Sequence, residues 1–104
     1  MTRKITVSSH AELAFEKIYL LTIETFGKPV ADKLFLKFKR FKDTVSIYPF
    51  AYGYYYRSKS IRKYILTKSI LVLYKVKRTE IEIITVIYGG QNPVTVKKDI
   101  LTKK

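Results

Sequence analysis

The sequence contains no cysteine, which excludes disulfide staples, thiolate metal sites and a cysteine nucleophile. It has one histidine, His10. No serine or carboxylate arrangement accompanies it, so it reads as a surface residue at a helix start rather than as a catalytic or metal-binding group. Long apolar runs are missing as well: nowhere do about 18 uninterrupted apolar residues occur, the length a membrane-spanning helix needs. Met1-Thr2-Arg3-Lys4-Ile5 begins charged, with no signal-like apolar run behind it, and the expected compartment is the cytoplasm. No cofactor, metal or membrane partner is expected. Acidic residues are scarce, 8 against 21 lysines and arginines, for a formal net charge of +13.

What is present is a basic, core-forming chain. At 104 residues and 47% apolar content, one domain with a packed interior is expected, and disorder is not. A domain of this size buries only about 60–70% of its unfolded surface, so a bound partner adds to its stability. The positive excess is uneven. From Arg57 onward there are 12 basic and 3 acidic residues, against 9 and 5 before it. Such a field attracts polyanions: nucleic acid, an anionic membrane or an acidic protein. The plainer reading is a solvated surface that keeps the protein soluble.

Periodicity divides the chain into elements. Ile5-Thr6-Val7 alternates like a strand. Ser9 and Glu12 fit a capping box at the start of a helix from His10 to about Phe26. Its apolar stripe is Ala11, Ala14, Ile18 and Leu21, widened by Leu13 and Phe15. Gly27 suits the C-terminal cap and Pro29 the first turn of a second helix. There Ala31, Leu34, Phe38, Phe41 and Val45 step by three and four along one face. The short link makes the helices antiparallel neighbours. Tyr48-Pro49 ends the helical part, and Phe50 to Ser60 is a tyrosine-rich loop. Three β-rich runs follow, Ile61 to Leu66, Ile70 to Val76 and Glu80 to Tyr88, separated by hairpin-length turns. In the last run Ile81, Ile83 and Ile87 share one face, with Ile84, Val86 and Tyr88 on the other, as in a central strand covered on both sides. The fold class is α+β: a short N-terminal strand and an antiparallel helix hairpin packed on a three- to four-stranded, mostly antiparallel sheet. The tail from Val94 to Lys104 is expected to be a loosely held segment, a final strand or a helical turn.

An arginine opening one strand (Arg62), a tyrosine late in the next (Tyr74), the isoleucine-rich run from Ile81 to Val86 and the closing Gln91-Asn92-Pro93 resemble the RelE/ParE toxins. Tyr48-Pro49 also matches that pattern. The resemblance implies the toxin of a type II toxin–antitoxin pair, held in a hetero-oligomer by a cognate acidic antitoxin. Leu34, Phe38, Phe41, Tyr54 and Tyr56 are candidate antitoxin contacts, because a helix or added strand there would meet apolar surface rimmed by cations. The family divides by chemistry. RelE-like members cut messenger RNA on the ribosome, whereas ParE-like members bind a cellular target, DNA gyrase, without enzymatic activity of their own.

A metal-independent ribonuclease needs a general base, a general acid and cations on the phosphate. Where the RelE-like pattern has cations, this chain has Leu71 and Gly89-Gly90, and the late tyrosine has no counterpart in the tail. The resemblance therefore favours the ParE-like branch. The ParE-like pattern is also departed from, since an arginine or histidine usually stands where Tyr88-Gly89-Gly90 does. The nuclease reading keeps a candidate cleft of Arg62, Lys63, Lys68 and Tyr88, with Gln91 and Asn92 as further toxicity candidates. A third reading is a basic nucleic-acid-binding module with no toxicity. Arg62 reads equally as a target-contacting cation or as a structural charge at a strand end. Tyr74 reads as sheet core. The tyrosine cluster suits base stacking, loop packing or antitoxin contact.

Overall fold

The computed structural model describes residues 2–89. The expectations for Gln91, Asn92, Pro93 and the tail lie outside the described residues. The elements are β1 (Lys4–Val7), α1 (Ser9–Phe26), α2 (Lys28–Ile47), β2 (Ile61–Thr67), β3 (Ile70–Val76) and β4 (Glu80–Tyr88). They form one four-stranded sheet in the order β1-β4-β3-β2. The meander β2-β3-β4 is antiparallel, and β1 joins β4 in parallel, with Ile5 opposite Ile81 and Val7 opposite Ile83. The expected α+β architecture is therefore observed, with β3 and β4 as the central strands.

The helix hairpin covers one face of this sheet. Every residue of the α2 stripe is buried, and Ala11, Phe15 and Ile18 of α1 join it over Val72, Tyr74, Ile81, Ile83 and Val86. Aromatic rings form the centre. Phe41 stacks on Tyr64 at 4.5 Å and meets the edge of Tyr74 at 5.5 Å, while Phe15 stacks on Phe38 at 4.4 Å. Offset and edge contacts of this kind add about 0.5–1.5 kcal/mol per pair beyond area burial. Gly27 alone joins the helices, at φ 93°, a left-handed value that a side chain would strain.

Three details differ from the sequence reading. The N-cap of α1 is Ser8, not Ser9. Its hydroxyl oxygen accepts from the Ala11 amide at 3.0 Å and its hydroxyl donates to the Ile84 carbonyl at 2.8 Å, a link to β4 that local pattern could not reveal. Leu13 and Leu21 of the expected α1 stripe are not in the core: they are 59% and 42% exposed, Leu21 at a groove beside the Ile70–Tyr88 end of the sheet. Finally, β4 carries a bulge: Leu73 pairs with Thr85 but Tyr74 with Ile83, leaving Ile84 as the extra residue. The bulge reverses the alternation, so Val86 shares the buried helix-side face of Ile81 and Ile83 instead of opposing it. The Ile84 carbonyl, released from the ladder, is the acceptor that Ser8 takes.

Candidate functional site

The expected cleft of Arg62, Lys63, Lys68 and Tyr88 is not assembled. Arg62 pairs with Tyr74 near the start of β2, whereas Tyr88 pairs with Ile70, which pairs with Thr67 at the far end. Five strand steps of about 3.3 Å separate the two ends, roughly 17 Å. Lys63 shares a cross-strand row with Leu73 and Thr85, on the face turned away from the helices. Lys68 stands in the β2–β3 turn, on the Tyr88 side. Arg62 and Lys63 thus stand at one end of the meander and Lys68 and Tyr88 at the other, a placement that sequence spacing does not reveal.

Arg62 is engaged within the fold. Its guanidinium lies 4.2 Å from the Tyr54 ring centroid and 5.0 Å from that of Phe50, and it donates to the Tyr52 carbonyl at 2.5 Å. Backbone bonds from Tyr55 to Ile61 (2.7 Å) and from Lys63 to Gly53 (3.1 Å) fasten the same loop to β2. Residues 48–60 are thus clamped along the sheet edge, with Arg62 as the clamp. Tyr74 is fully buried beneath, its phenol pushed up to about 12 by burial. Its hydroxyl points to the Pro49 carbonyl at 3.4 Å.

The antitoxin-contact candidates separate into two groups. Leu34, Phe38 and Phe41 are 5%, 5% and 2% exposed. The stripe that marks them as apolar is the stripe that faces the sheet, so they offer a partner almost no surface. Tyr54 and Tyr56 are exposed. The helices instead expose Leu13, which the sequence pattern placed in the α1 stripe, and Leu20, Phe35 and Leu36, which it left out.

Two grooves border the hairpin. One, of about 570 Å³, has Phe15, Phe35 and Phe38 in its walls and Glu12, Glu16 and Asp32 around it. Here the Tyr19 hydroxyl donates to Asp32 at 2.8 Å and Lys28 pairs with the same carboxylate at 3.1 Å. Those two donors hold the Asp32 carboxyl below its ordinary value. The other groove, of about 360 Å³, lies at the hairpin tip, between Leu21, Phe26 and Val30 and the Ile70–Tyr88 end of the sheet. Lys33 and Lys37 line it. It is apolar with a cationic rim. Among the described residues no cluster of histidine, aspartate and glutamate could hold a metal, and no helix is long and apolar enough to cross a membrane.

A helix hairpin on one face of a β1-β4-β3-β2 sheet is an α+β architecture, and solved structures share it. The chain superposes on a chain of the chromosomal ParDE toxin–antitoxin system from P. aeruginosa with a TM-score of 0.70 at 16% identity, covering 84% of this chain and 96% of that one. It matches the YoeB dimer from Staphylococcus aureus at 0.58 and 15% identity, covering 85% and 98%. It matches the conserved hypothetical protein HP0894 from Helicobacter pylori at 0.56 and 17% identity, covering 88% and 98%. No family model and no curated protein matches the sequence. The chain has the fold shared by these three proteins.

Proposed function

We propose that this protein is the toxin of a type II toxin–antitoxin pair, held inactive in the cytoplasm by an acidic antitoxin and acting, when free, by binding a cellular target in the ParE-like manner, with DNA gyrase as the candidate. The observation that carries the reading is the superposition over nearly the whole ParDE chain, at 0.70 against 0.58 for the YoeB chain. Two features of the molecule support it. The hairpin-tip groove joins apolar walls to Lys33 and Lys37, the chemistry that accepts an acidic amphipathic segment. At the early β3 position, where the RelE-like pattern of the resemblance has an arginine, stands Leu71.

Induced expression in a bacterial host, alone and together with any small acidic protein encoded beside this chain, tests the proposal. Growth arrest by the chain alone, relieved by the neighbour, is expected, with intact messenger RNA and a DNA-damage response. Absence of arrest would remove the toxin reading. Rapid codon-biased cleavage of messenger RNA would replace target binding with ribonuclease activity.

A further inference from the structure

The larger groove, of about 570 Å³, runs between the two helices. From α1 it takes Glu12, Phe15, Glu16 and Tyr19, which the three-and-four spacing sets along one strip. From α2 it takes a second strip, Asp32, Phe35, Phe38 and Lys42. At 1.5 Å per residue the strips are roughly 10–15 Å long, two to three helical turns. Phe15 and Phe38 are buried and stacked at 4.4 Å, while Phe35 is 52% exposed. The charge of this groove runs against that of the chain. Three of the eight acidic residues line it, in a sequence with 21 lysines and arginines. Asp32 is taken up by Tyr19 and Lys28. Glu12 and Glu16 have no ion pair among the described residues, although they stand four apart on one helix, where like charges repel. The helix N-terminus offsets this for Glu12, in the first turn, but not for Glu16. The aromatic wall already holds one ammonium, the Lys42 amine, 5.0 Å from the Phe38 ring centroid.

We infer that this groove receives a basic amphipathic helix of a partner protein. A third helix packs between two antiparallel ones, its apolar side chains on the phenylalanine rings and its lysines or arginines reaching Glu12 and Glu16. An acidic segment laid here would set its carboxylates against those two, so this occupant is not the one proposed for the lysine-rimmed groove at the hairpin tip. A second copy of this chain offers no such helix, because the apolar stripe of its basic α2 is taken up by its own sheet. Binding of this kind is independent of whether the chain is a toxin, since it concerns equilibrium association of the purified protein.

The test is fluorescence anisotropy with a labelled leucine–lysine peptide of amphipathic helical pattern, and a serine–lysine peptide of the same length and charge. Salt is held at about 0.15 M, where the screening length is about 8 Å and the remote charge of the chain is muted. The full chain should bind the leucine–lysine peptide in spite of its own net charge of +13, and at least about tenfold more tightly than the serine–lysine peptide, which has no apolar face. Glu12→Gln/Glu16→Gln should weaken that binding at least about fivefold, since each lost ion pair removes up to about that factor. Lys33→Gln/Lys37→Gln, at the hairpin tip, should not weaken it. All four side chains are exposed, so both variants keep the fold. Failure of the unaltered chain to bind the leucine–lysine peptide, or equal affinity for the two peptides, would overturn the inference. So would binding that survives undiminished in the folded Glu12→Gln/Glu16→Gln protein. Self-association of the chain that the same variant abolishes would also overturn it, by reassigning the groove to a second copy.

Discussion

Replacing Arg62 with alanine separates a residue that contacts a target from one that holds the fold. The side chain makes a charge-assisted hydrogen bond to the Tyr52 carbonyl and two ring contacts, with Phe50 and Tyr54. The hydrogen bond contributes about 1.5–3 kcal/mol, and each ring contact about 0.5–1 kcal/mol at a partly exposed site. One side chain makes all three, so the sum is not additive, and a loss of about 2–3 kcal/mol is expected. Against a total of about 5–15 kcal/mol for such a domain, that lowers the thermal midpoint by roughly 10–20 °C. The loss should also be local. Hydrogen exchange at the Tyr55 and Lys63 amides, which bond across the loop edge, should accelerate strongly, while amides of the central β3–β4 ladder follow only the global change. Arg62→Lys should recover less than half, because an ammonium cannot lie flat against a ring and keep the forked hydrogen-bond geometry. Urea unfolding and amide exchange on the three proteins decide the matter. If Arg62→Ala stays within about 0.5 kcal/mol of the parent, as an ordinary surface substitution does, and leaves those two amides protected, the clamp assignment is wrong.

The other predictions concern the core, the cap and pH. Phe41→Ala empties the centre of the aromatic cluster and should cost about 3–5 kcal/mol in urea unfolding, against about 1 kcal/mol or less for exposed Phe35→Ala; comparable losses would contradict the packing described. Ser8→Ala removes the α1 cap and orphans the Ile84 carbonyl, for a loss of about 1–2 kcal/mol, whereas Ser9→Ala should be near neutral; the reverse order would restore Ser9 as the cap. The Tyr74 phenol, raised from 10.0 to about 12, stays protonated in the folded state after it ionises in the unfolded chain. Its contribution is therefore fully present below pH 10 and is lost as pH climbs from there toward 12; Tyr74→Phe should flatten that part of the stability profile, and an unchanged slope would refute the assignment.

Much of the architecture was legible because one kind of signal, apolar period, governs it. The α2 stripe from Ala31 to Val45 was read residue for residue, since a helix on a sheet needs one uninterrupted face. The same signal says less about function. Apolar residues at helical spacing are the ones the sheet consumes, so Leu34, Phe38 and Phe41 keep only 5%, 5% and 2% exposure, Leu34 and Phe38 at the groove walls. Misplaced were features that depend on a second segment. Ser8 is preferred over Ser9 because β4 supplies a carbonyl, and that carbonyl is available because of the Ile84 bulge. Neither is written in the local pattern. Arg62 opens β2 and Tyr88 closes β4, and because β2 and β4 run the same way in the meander the two stand at opposite ends of the sheet. The tyrosine-rich loop was legible as composition; its clamping by Arg62 required the cross-strand geometry.

The parallel pairing of β1 with β4 has a consequence for the order of events during synthesis. Ser8 and its acceptor Ile84 are 76 residues apart in sequence. At a translation rate of about 5–20 residues per second, on the order of 4–15 s elapse between their additions to the chain. Until β4 has been made, β1 has no neighbour, the Ser8 hydroxyl lacks its Ile84 acceptor, and α1 lacks the strand it lies on. The helix hairpin is complete long before, its apolar stripe uncovered. Until the strands that cover it have been made, a nascent chain leaves Leu34, Phe38 and Phe41 without the packing they have in the finished protein. Any factor that binds the growing chain thus meets a different surface from any factor that binds the folded one, and the change comes late, with the synthesis of the last described strand.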